Sequence, residues 1–151
     1  MAISFHLATE NEIEVISDLI YRSKKHWGYT EESLEKWYPF FYEVKKHIRN
    51  SNMEYMKSGT DIAGVYGLTY HKSRVAILEH FWINHTLIGG GYGNTMFQRV
   101  IEVAREHNSD CIEFHADIHA VGFYEKMGCI REGTTFHEVI KTELPFFRYK
   151  L

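Results

Sequence analysis

Residues 75–104 read VAILEHFWI, then NHTLI, then GGGYGN, then TMFQRVIEVA. The first segment is rich in β-branched and aromatic residues, which predicts a strand over Val75–Ile83. The last segment has apolar residues at helical spacing, namely Met96, Phe97, Val100, Ile101 and Ala104. The glycines between them permit positive φ angles and let backbone N–H groups approach a ligand closely. Because the first N–H groups of a helix lack intrahelical partners, this strand–turn–helix unit predicts an anion site at Gly89–Asn94.

Two common nucleotide-binding motifs do not fit this glycine run. A P-loop ends with Gly-Lys-Ser/Thr, whereas this run ends with Gly93, Asn94 and Thr95. The third glycine of a dinucleotide fingerprint would fall on Asn94 or Met96, which are not glycines. The alternative interpretation, a plain turn without a ligand, stays open from this segment alone, since glycine-rich turns are common.

One strand and two helices are predicted ahead of this unit. Ile3–Leu7 alternates between apolar and polar residues, like a short strand. Thr9 and Glu12 form a capping-box pattern that opens the first helix. A second helix begins after Thr30 and is interrupted at Pro39, because proline lacks the N–H group that a helix interior needs.

Strands and helices alternate through the rest of the chain. The predicted strands are Met53–Lys57, Ile62–His71, Val75–Ile83, Cys111–His115, Cys129–Arg131, Phe136–Ile140 and Phe146–Leu151. Short turns join the first three of these as an antiparallel meander. A further helix covers Ile118–Met127 and ends at Gly128. This order predicts an α+β fold, with one mixed sheet of six or seven strands flanked by about four helices.

Length and composition exclude several classes of protein. The chain has 151 residues, which predicts one domain over 1–151. Its 17 basic and 20 acidic residues give a net charge of −3, which argues against a nucleic-acid partner. No apolar run approaches the roughly 18 residues of a membrane span, and the first residues do not resemble a signal peptide, so no membrane partner is expected. Cys111 and Cys129 are too few for a disulfide scaffold, which favours the cytoplasm.

A second segment, from Asp117 to Cys129, reads DIHAVGFYEKMGC. It predicts a short helix that carries two adjacent aromatic residues and stops at a glycine. Neighbours on a helix point about 100° apart. We therefore expect Phe123 to face the core and Tyr124 to turn toward a cleft.

Together the two segments resemble the GNAT superfamily of acetyl-CoA-dependent N-acyltransferases. The family's pyrophosphate loop is Arg/Gln-x-x-Gly-x-Gly/Ala, and here both diagnostic glycines are present while Ile88 replaces the leading residue. The family's later motif is Asn-x-x-Ala-x-x-Phe-Tyr-x-Lys-x-Gly-Phe. It is matched at Ala120, Phe123, Tyr124, Lys126 and Gly128, with Asp117 in place of Asn and Cys129 in place of the final Phe.

The resemblance implies a three-layer fold whose central sheet is splayed between its fourth and fifth strands, here Val75–Ile83 and Cys111–His115. In the family, the pantetheine arm of acetyl-CoA pairs with the free edge of the fourth strand like an added strand. Acetyl-CoA is therefore the implied co-substrate. The implied contact residues are Phe81, Trp82, Ile83, Ile88, Gly89, Gly90, Gly91, Tyr92, Gly93, Asn94, Asp117, Ala120, Phe123, Tyr124 and Lys126.

The same resemblance implies direct transfer of an acetyl group to a primary amine. Tyr124 would protonate the departing thiolate, and the alternative is a packing tyrosine with a satisfied hydroxyl. Glu79 shares strand parity with Phe81 and would act as the base, or else it is a structural ion-pair partner. His115 and His119 are further candidates for the base.

Acceptor recognition in the family usually involves the loop between the first two helices. Trp27 and Tyr29 lie in that loop, and with Glu79 and His115 they form the predicted acceptor side. The expected partner is an amine of a small molecule or peptide, whose identity the sequence does not give, and a homodimer stays open. The alternative function is a catalytically silent module that binds acyl-CoA and regulates a partner, because the residues at 88 and 117 depart from the motifs.

No metal site is expected. Cys111, His115 and His119 are spaced by four residues, which would form a ligand face on one helix. The segment instead crosses a predicted strand and a loop, so this spacing does not gather the three side chains.

Overall fold

The computed structural model describes residues 2–36, 38–50, 52–71, 73–138 and 141–151, with side chains in these ranges except at 36–43. Its helices are α1 (Ile13–His26), α2 (Glu31–Lys36), α3 (Tyr38–Arg49), α4 (Tyr92–Glu106) and α5 (Val121–Lys126). Its strands are β1 (Ile3–Leu7), β2 (Met53–Ser58), β3 (Asp61–His71), β4 (Val75–Ile83), β5 (Cys111–His115), β6 (Ile130–His137) and β7 (Thr142–Lys150). Within these ranges the strands form one sheet in the order β1-β2-β3-β4-β5-β7-β6. This mixed, open sheet with its helices confirms the predicted α+β fold.

β4 and β5 are parallel neighbours that pair only briefly. The register joins the first three residues of β4, Val75–Ile77, to Cys111–Glu113 of β5. No later register pair joins these two strands, both of which are fully described, although β4 continues to Ile83. The sheet is therefore splayed between its fourth and fifth strands, as predicted, and the second half of β4 has no partner in β5.

The helix start predicted at Thr9 is confirmed. Thr9 and Glu12 form the predicted capping box, with the Thr9 N–H donating to Glu12 Oε1 at 3.0 Å. The box caps a short 3-10 turn that leads directly into α1. Pro39 is the second residue of α3, and the interruption predicted there adjoins residue 37, which lies outside the described residues.

The prediction of three separate strands after Gly128 is wrong. Ile130 and Arg131 of the first predicted strand and the start of Phe136–Ile140 belong to one strand, β6, and residues 139 and 140 lie outside the described residues. Gly133, with φ +89°, produces a register shift between Arg131 and Thr134 instead of ending the strand. A glycine that marks a bulge looks the same in sequence as a glycine that ends a strand.

The chain forms two compact units. Unit 1 comprises Met1–Gly67 and His80–Met96, and unit 2 comprises Leu68–Glu79 and Phe97–Leu151. Thus β3, β4 and α4 each contribute residues to both units. None of the helices in the described ranges is long and apolar enough to cross a membrane.

Unit 1 has a mainly aliphatic core. Its fully buried side chains include Ile16, Ile20, Val44, Met53, Met56 and Val65. A Cβ atom on Gly64 of β3 would lie 2.9 Å from Met96 Sδ and 3.0 Å from Ile83 Cδ1. Glycine at this position therefore allows the first turn of α4 to pack closely against β3.

Unit 2 has an aromatic core on one face of β5 and β7. Phe114 packs against Tyr124 and Phe147, with ring centroids 4.6 Å and 5.7 Å away. The next residues along the two strands pair separately, because the rings of His115 and Phe146 lie 5.4 Å apart. Strand alternation thus gives β5 two different surfaces, which we call the Phe114 face and the His115 face.

Candidate active site

Asn84 fixes the end of β4. Its backbone N–H donates to the Ala63 carbonyl at 2.8 Å, and its Nδ2 donates to the Ile62 carbonyl at 3.0 Å. Its Oδ1 accepts from the backbone N–H of Thr86 at 3.1 Å. One residue therefore ties β4 to β3 and starts the turn that leads to the glycines.

The backbone N–H groups at this end of β4 point alternately to its two sides. Because the N–H of Asn84 points to β3, the N–H groups of Ile83 and Phe81 point away from β3. Those two groups lie on the edge of β4 away from β3, beyond the last register pair with β5. This is the orientation that an extended ligand needs to pair with β4 as an added strand.

Trp82, one of the predicted cofactor contacts, has its backbone on the β3 side of β4. Its carbonyl oxygen would lie 3.0 Å from a Cβ atom on Gly64, so its backbone faces β3. Its ring lies beneath the buried ammonium of Lys24, with Nζ 4.1 Å from the ring centroid. Neither the backbone nor the ring of Trp82 points to the free edge, because strand parity places it opposite Phe81 and Ile83.

The glycine turn has the backbone that its sequence predicts. Gly89 and Gly91 have φ angles of +89° and +83°, which favour glycine strongly. A Cβ atom on either residue would meet nothing within 4 Å, so conformation and not crowding requires glycine there. Gly90 has the opposite constraint, because a Cβ atom on it would lie 3.0 Å from the Tyr92 ring.

The start of α4 leaves backbone donors for an anion. The helix begins at Tyr92, and the N–H of Thr95 donates to the Gly91 carbonyl at 3.3 Å. The N–H groups of Tyr92, Gly93 and Asn94 precede that bond, where helical N–H groups lack intrahelical acceptors. With the positive end of the helix dipole, these donors suit a pyrophosphate even though Ile88 supplies no charge.

Tyr124 lies on the Phe114 face of unit 2. Its side chain is only 5% exposed. Besides Phe114, the rings of Phe97 and Phe147 lie 6.2 Å and 5.9 Å from it. Burial raises the pKa of the Tyr124 phenol above its usual range, and Cys129 and Asp117 add smaller increases. The phenol is therefore protonated at neutral pH, as a proton donor must be.

The expected orientation of the two adjacent aromatics is wrong. Tyr124 is buried, while Phe123 is half-buried. The cause is the aromatic core of unit 2, since α5 turns the tyrosine ring toward Phe114 and Phe147. Helical spacing correctly separates the two rings, but it does not tell which of them meets the core.

The substituted positions of the second motif keep a structural role. Asp117 caps the 3-10 turn Ile118–Ala120, and its side chain accepts from the backbone N–H of His119 at 2.9 Å. Ala120 precedes α5, and Lys126 lies exposed in the last turn of that helix. An aspartate caps a turn as well as the family's asparagine does.

Glu79 and His115 belong to one polar group in unit 2. Glu79 Oε1 accepts from the hydroxyl of Thr69 at 2.9 Å. His115 Nε2 is hydrogen-bonded to Thr135 Oγ1, and the ring of His137 lies 5.0 Å from the His115 ring. Partial burial lowers the pKa of His115, the nearby His137 lowers it further, and the Glu79 carboxylate opposes both. The predicted residues are thus brought together, and His115 is neutral at pH 7.

The other predicted acceptor residues lie in unit 1. Trp27 is 40% exposed, and its ring meets His26 edge-on at 5.1 Å. Tyr29 lies 5.4 Å from the Lys24 ammonium, and its N–H donates to the Lys24 carbonyl at 3.3 Å. His119, the remaining candidate for the base, is exposed in its turn.

The cysteines and histidines form no metal centre in the described part of the chain. No group of three or more His, Cys, Asp or Glu side chains there is arranged to hold a metal ion. Both cysteines are free thiols, and burial raises the pKa of Cys129 to about 12. Neither thiol is activated, because burial also raises the pKa of Cys111.

Sequence reasoning missed four contributors to this site. Asn84 and Gly64 hold β4 and α4 against β3, and Thr69 and Thr135 bond to the predicted base candidates. Asn84 carried a readable signal, because an Asn side chain after a strand often starts a turn by accepting from the backbone N–H two residues on. Thr69 and Thr135 carried no such signal, since the residues that they bond to, Glu79 and His115, are distant from them in sequence.

Comparisons with known proteins agree with this fold. A family model described as an acetyltransferase (GNAT) domain matches residues 27–151. Among curated protein sequences, none matches the chain.

Several solved structures share the fold at low sequence identity. A GCN5-related N-acetyltransferase from Rhodopseudomonas palustris has a TM-score of 0.78 at 14% identity, covering 99% of this chain and 95% of that chain. PaiA N-acetyltransferase from Thermoplasma acidophilum, in complex with coenzyme A, has a TM-score of 0.73 at 14% identity, covering all of both chains. N-acetylglutamate synthase from Neisseria gonorrhoeae, complexed with coenzyme A and N-acetyl-glutamate, has a TM-score of 0.73 at 14% identity, and the match covers all of this chain but 35% of that chain.

The family model spans most of the sequence and includes both motifs. The splayed parallel pair, the glycine turn at the start of α4 and the aromatic α5 are the structural counterparts of those motifs. The chain belongs to the GNAT acetyltransferase family.

Proposed function

We propose that this protein transfers an acetyl group from acetyl-CoA to a primary amine of a small molecule or peptide. The observation that carries the proposal is the early end of pairing between β4 and β5, after Ile77 and Glu113. It leaves β4 with a free edge that leads directly into a glycine turn and a helix start. A long ligand with an amide-containing arm and a pyrophosphate has groups that match both features.

Backbone groups of unit 1 hold the co-substrate in this proposal. The N–H groups of Phe81 and Ile83 bond to the arm, and one of them polarises the thioester carbonyl. The N–H groups of Gly89 and of Gly91 to Asn94 bind the pyrophosphate, while the N–H of Gly90 already donates to the Leu87 carbonyl at 3.2 Å. The replacement of the family's leading residue by Ile88 removes one side-chain donor or charge and leaves these backbone donors in place. When bound, acetyl-CoA supplies the acetyl group as an activated thioester.

Tyr124 acts as the proton donor to the leaving sulfur. Its phenol is protonated, because burial raises its pKa. A proton donor is useful but not essential here, since a thiol with a pKa near 8.5 is a tolerable leaving group. The base that takes the proton of the amine is Glu79, a histidine or a water chain, and Trp27 and Tyr29 contribute to the acceptor side.

The acceptor in this proposal is an amine of a small molecule or peptide rather than a nucleic acid. A net charge of −3 argues against a polyanionic partner. One structural relative was solved with N-acetyl-glutamate, a small acetylated amine. We place the reaction in the cytoplasm, because both cysteines are free thiols, as expected in a reducing compartment.

The direct test combines binding with turnover. Calorimetry with acetyl-CoA measures binding, and a free-thiol assay with a panel of amines measures transfer. The panel contains a polyamine, an amino acid, an aminoglycoside and a peptide with a free N-terminus. We expect acetyl-CoA to bind and at least one amine to accelerate thiol release, with the acetylated amine identified by mass.

Two results would contradict the proposal in different ways. Tight binding of acetyl-CoA without acetylation of any amine would favour the silent regulatory module. No binding of acetyl-CoA to the folded protein would show that the glycine turn is only a turn.

A further inference from the structure

A polar group that crosses four strands lies on the His115 face of unit 2. Thr69 of β3 donates to Glu79 of β4, and His115 of β5 is hydrogen-bonded to Thr135 of β6. His137, two residues farther along β6, presents its ring to the same histidine. The Glu79 carboxylate is close enough to His115 to favour the imidazolium form. The titratable groups acting on His115 are therefore one carboxylate and one second histidine.

The hydrogen bond to Thr135 has a consequence for the other nitrogen of His115. A neutral imidazole carries one N–H and one lone pair. The Thr135 hydroxyl can accept from Nε2–H or donate to Nε2, and only the first arrangement leaves the lone pair on Nδ1. Nδ1 of His115 makes no hydrogen bond to the residues that the structure describes, and we take the first arrangement, in which this nitrogen can accept a proton.

We propose that His115 is the base that accepts the amine proton, with Thr135 fixing its tautomer and Glu79 stabilising the imidazolium. This assignment rests on the proposed function. In the transfer step the amine nitrogen forms a bond to the acetyl carbon, and the carbon–sulfur bond breaks with its electron pair passing to sulfur. One proton of the nitrogen passes to Nδ1, and the sulfur receives its proton from Tyr124.

The alternative base, Glu79, already has one carboxylate oxygen engaged, because its Oε1 accepts from the hydroxyl of Thr69 at 2.9 Å. Glu79 is a positioning residue in this assignment, held by Thr69 and acting through its charge.

The tautomer is measurable without any substrate. Nitrogen-15 NMR of the folded protein, with His115→Gln to assign the signal, reports which ring nitrogen carries hydrogen. We expect the Nε2–H form in the wild type, loss of that preference in Thr135→Val and its return in Thr135→Ser. An Nδ1–H form in the wild type, or a tautomer that Thr135→Val leaves unchanged, would overturn the inference.

The second measurement is the pH profile of kcat/KM for an accepted amine. We expect His115→Gln to lower kcat/KM at neutral pH by about 10²-fold. In the wild type, kcat/KM should fall as the pH drops below about 6.5, a part of the profile that we call the acid limb, and His115→Gln should abolish this fall. The limb lies below that value because burial and His137 lower the pKa of His115. Activity rises with pH through this limb, since only neutral His115 accepts a proton.

Two further variants distinguish His115 from Glu79. Glu79→Gln removes a negative charge that raises the pKa of His115, so the limb moves to lower pH but persists. His137→Asn removes a group that lowers this pKa, so the limb moves to higher pH. If Glu79→Gln abolishes the limb instead, Glu79 is the base and the inference is wrong. Failure of the proposed function is a separate result, because the wild type would then release no thiol with any amine.

Discussion

The glycine turn of unit 1 and strand β5 of unit 2 offer two kinds of chemistry. In the proposed function, the turn acts through backbone N–H groups at two positive φ angles and a helix start. The same proposal gives β5 a role through side chains, since Phe114 packs against Tyr124 on one face and His115 bonds to Thr135 on the other. A backbone site depends on conformation and tolerates changes of side chain, while a side-chain site depends on register and on each residue in it.

The largest expected effect concerns the aromatic side of this comparison. Phe114→Ala removes a ring that is 2% exposed and contacts both Tyr124 and Phe147. We expect it to lower the free energy of unfolding by about 3–5 kcal/mol. Urea denaturation measures this value.

The matched control is Phe136→Ala on β6. That phenylalanine is 50% exposed, so the same substitution should cost no more than about 0.5 kcal/mol. Equal losses in the two variants would show that the Phe114 face is not a core.

A smaller effect is expected from Tyr124→Phe, which keeps the ring and removes the hydroxyl. We expect kcat to fall by about 10²-fold, at the lower end for one general acid. The phenol donates weakly, because burial raises its pKa well above the 8.5 of a thiol. Steady-state thiol release at saturating amine measures the change.

Tyr149→Phe is the control for this variant, because that ring packs against Phe97 in the same unit and has no assigned chemistry. Its kcat should equal that of the wild type. A Tyr124→Phe enzyme within about threefold of the wild type would remove this hydroxyl from the mechanism.

The smallest of the three effects tests the backbone site. A loss of binding in Gly91→Asp could come from the added charge or from backbone strain, because Gly91 has a positive φ angle that an aspartate rarely adopts. Asn94→Glu avoids this problem, since Asn94 is exposed in the first turn of α4, where an acidic residue favours the helix. We expect Asn94→Glu to weaken acetyl-CoA binding by about tenfold while the melting temperature holds or rises.

Asn94→Gln is the neutral control and should bind acetyl-CoA like the wild type. Calorimetry measures both affinities. Unchanged affinity in Asn94→Glu would mean that no anion lies at this helix start.

The two regions also differ in what their sequences predict. The glycine conformations and the helix after them follow from a stretch of about thirty residues, because turns and caps depend on neighbours in the chain. The splay between β4 and β5 was instead implied by the resemblance to the GNAT superfamily. The face of β4 on which each side chain lies was also predictable, because neighbouring residues of a strand, such as Glu79 and His80, point to opposite faces. His80 indeed meets His47 of α3, with His80 Nε2 2.8 Å from His47 Nδ1.

Other features depend on pairing between distant strands, and the sequence does not specify them. The contact of His115 with Thr135 requires the β5–β7 and β6–β7 registers, including the bulge at Gly133. The burial of Tyr124 requires Phe114 and Phe147 to meet it from different strands. Local periodicity does not carry this information.

The alternation along β5 constrains how this protein can change over evolution. Inserting or deleting one residue in β5 would exchange the two faces, directing His115 into the aromatic core and Phe114 into the polar group. Point substitutions can adjust either face separately, whereas a change in strand length alters both at once. We therefore expect homologues to vary in residue type within this strand and to conserve its number of residues, while the turn after Asn84 accepts new side chains wherever its glycine angles are kept.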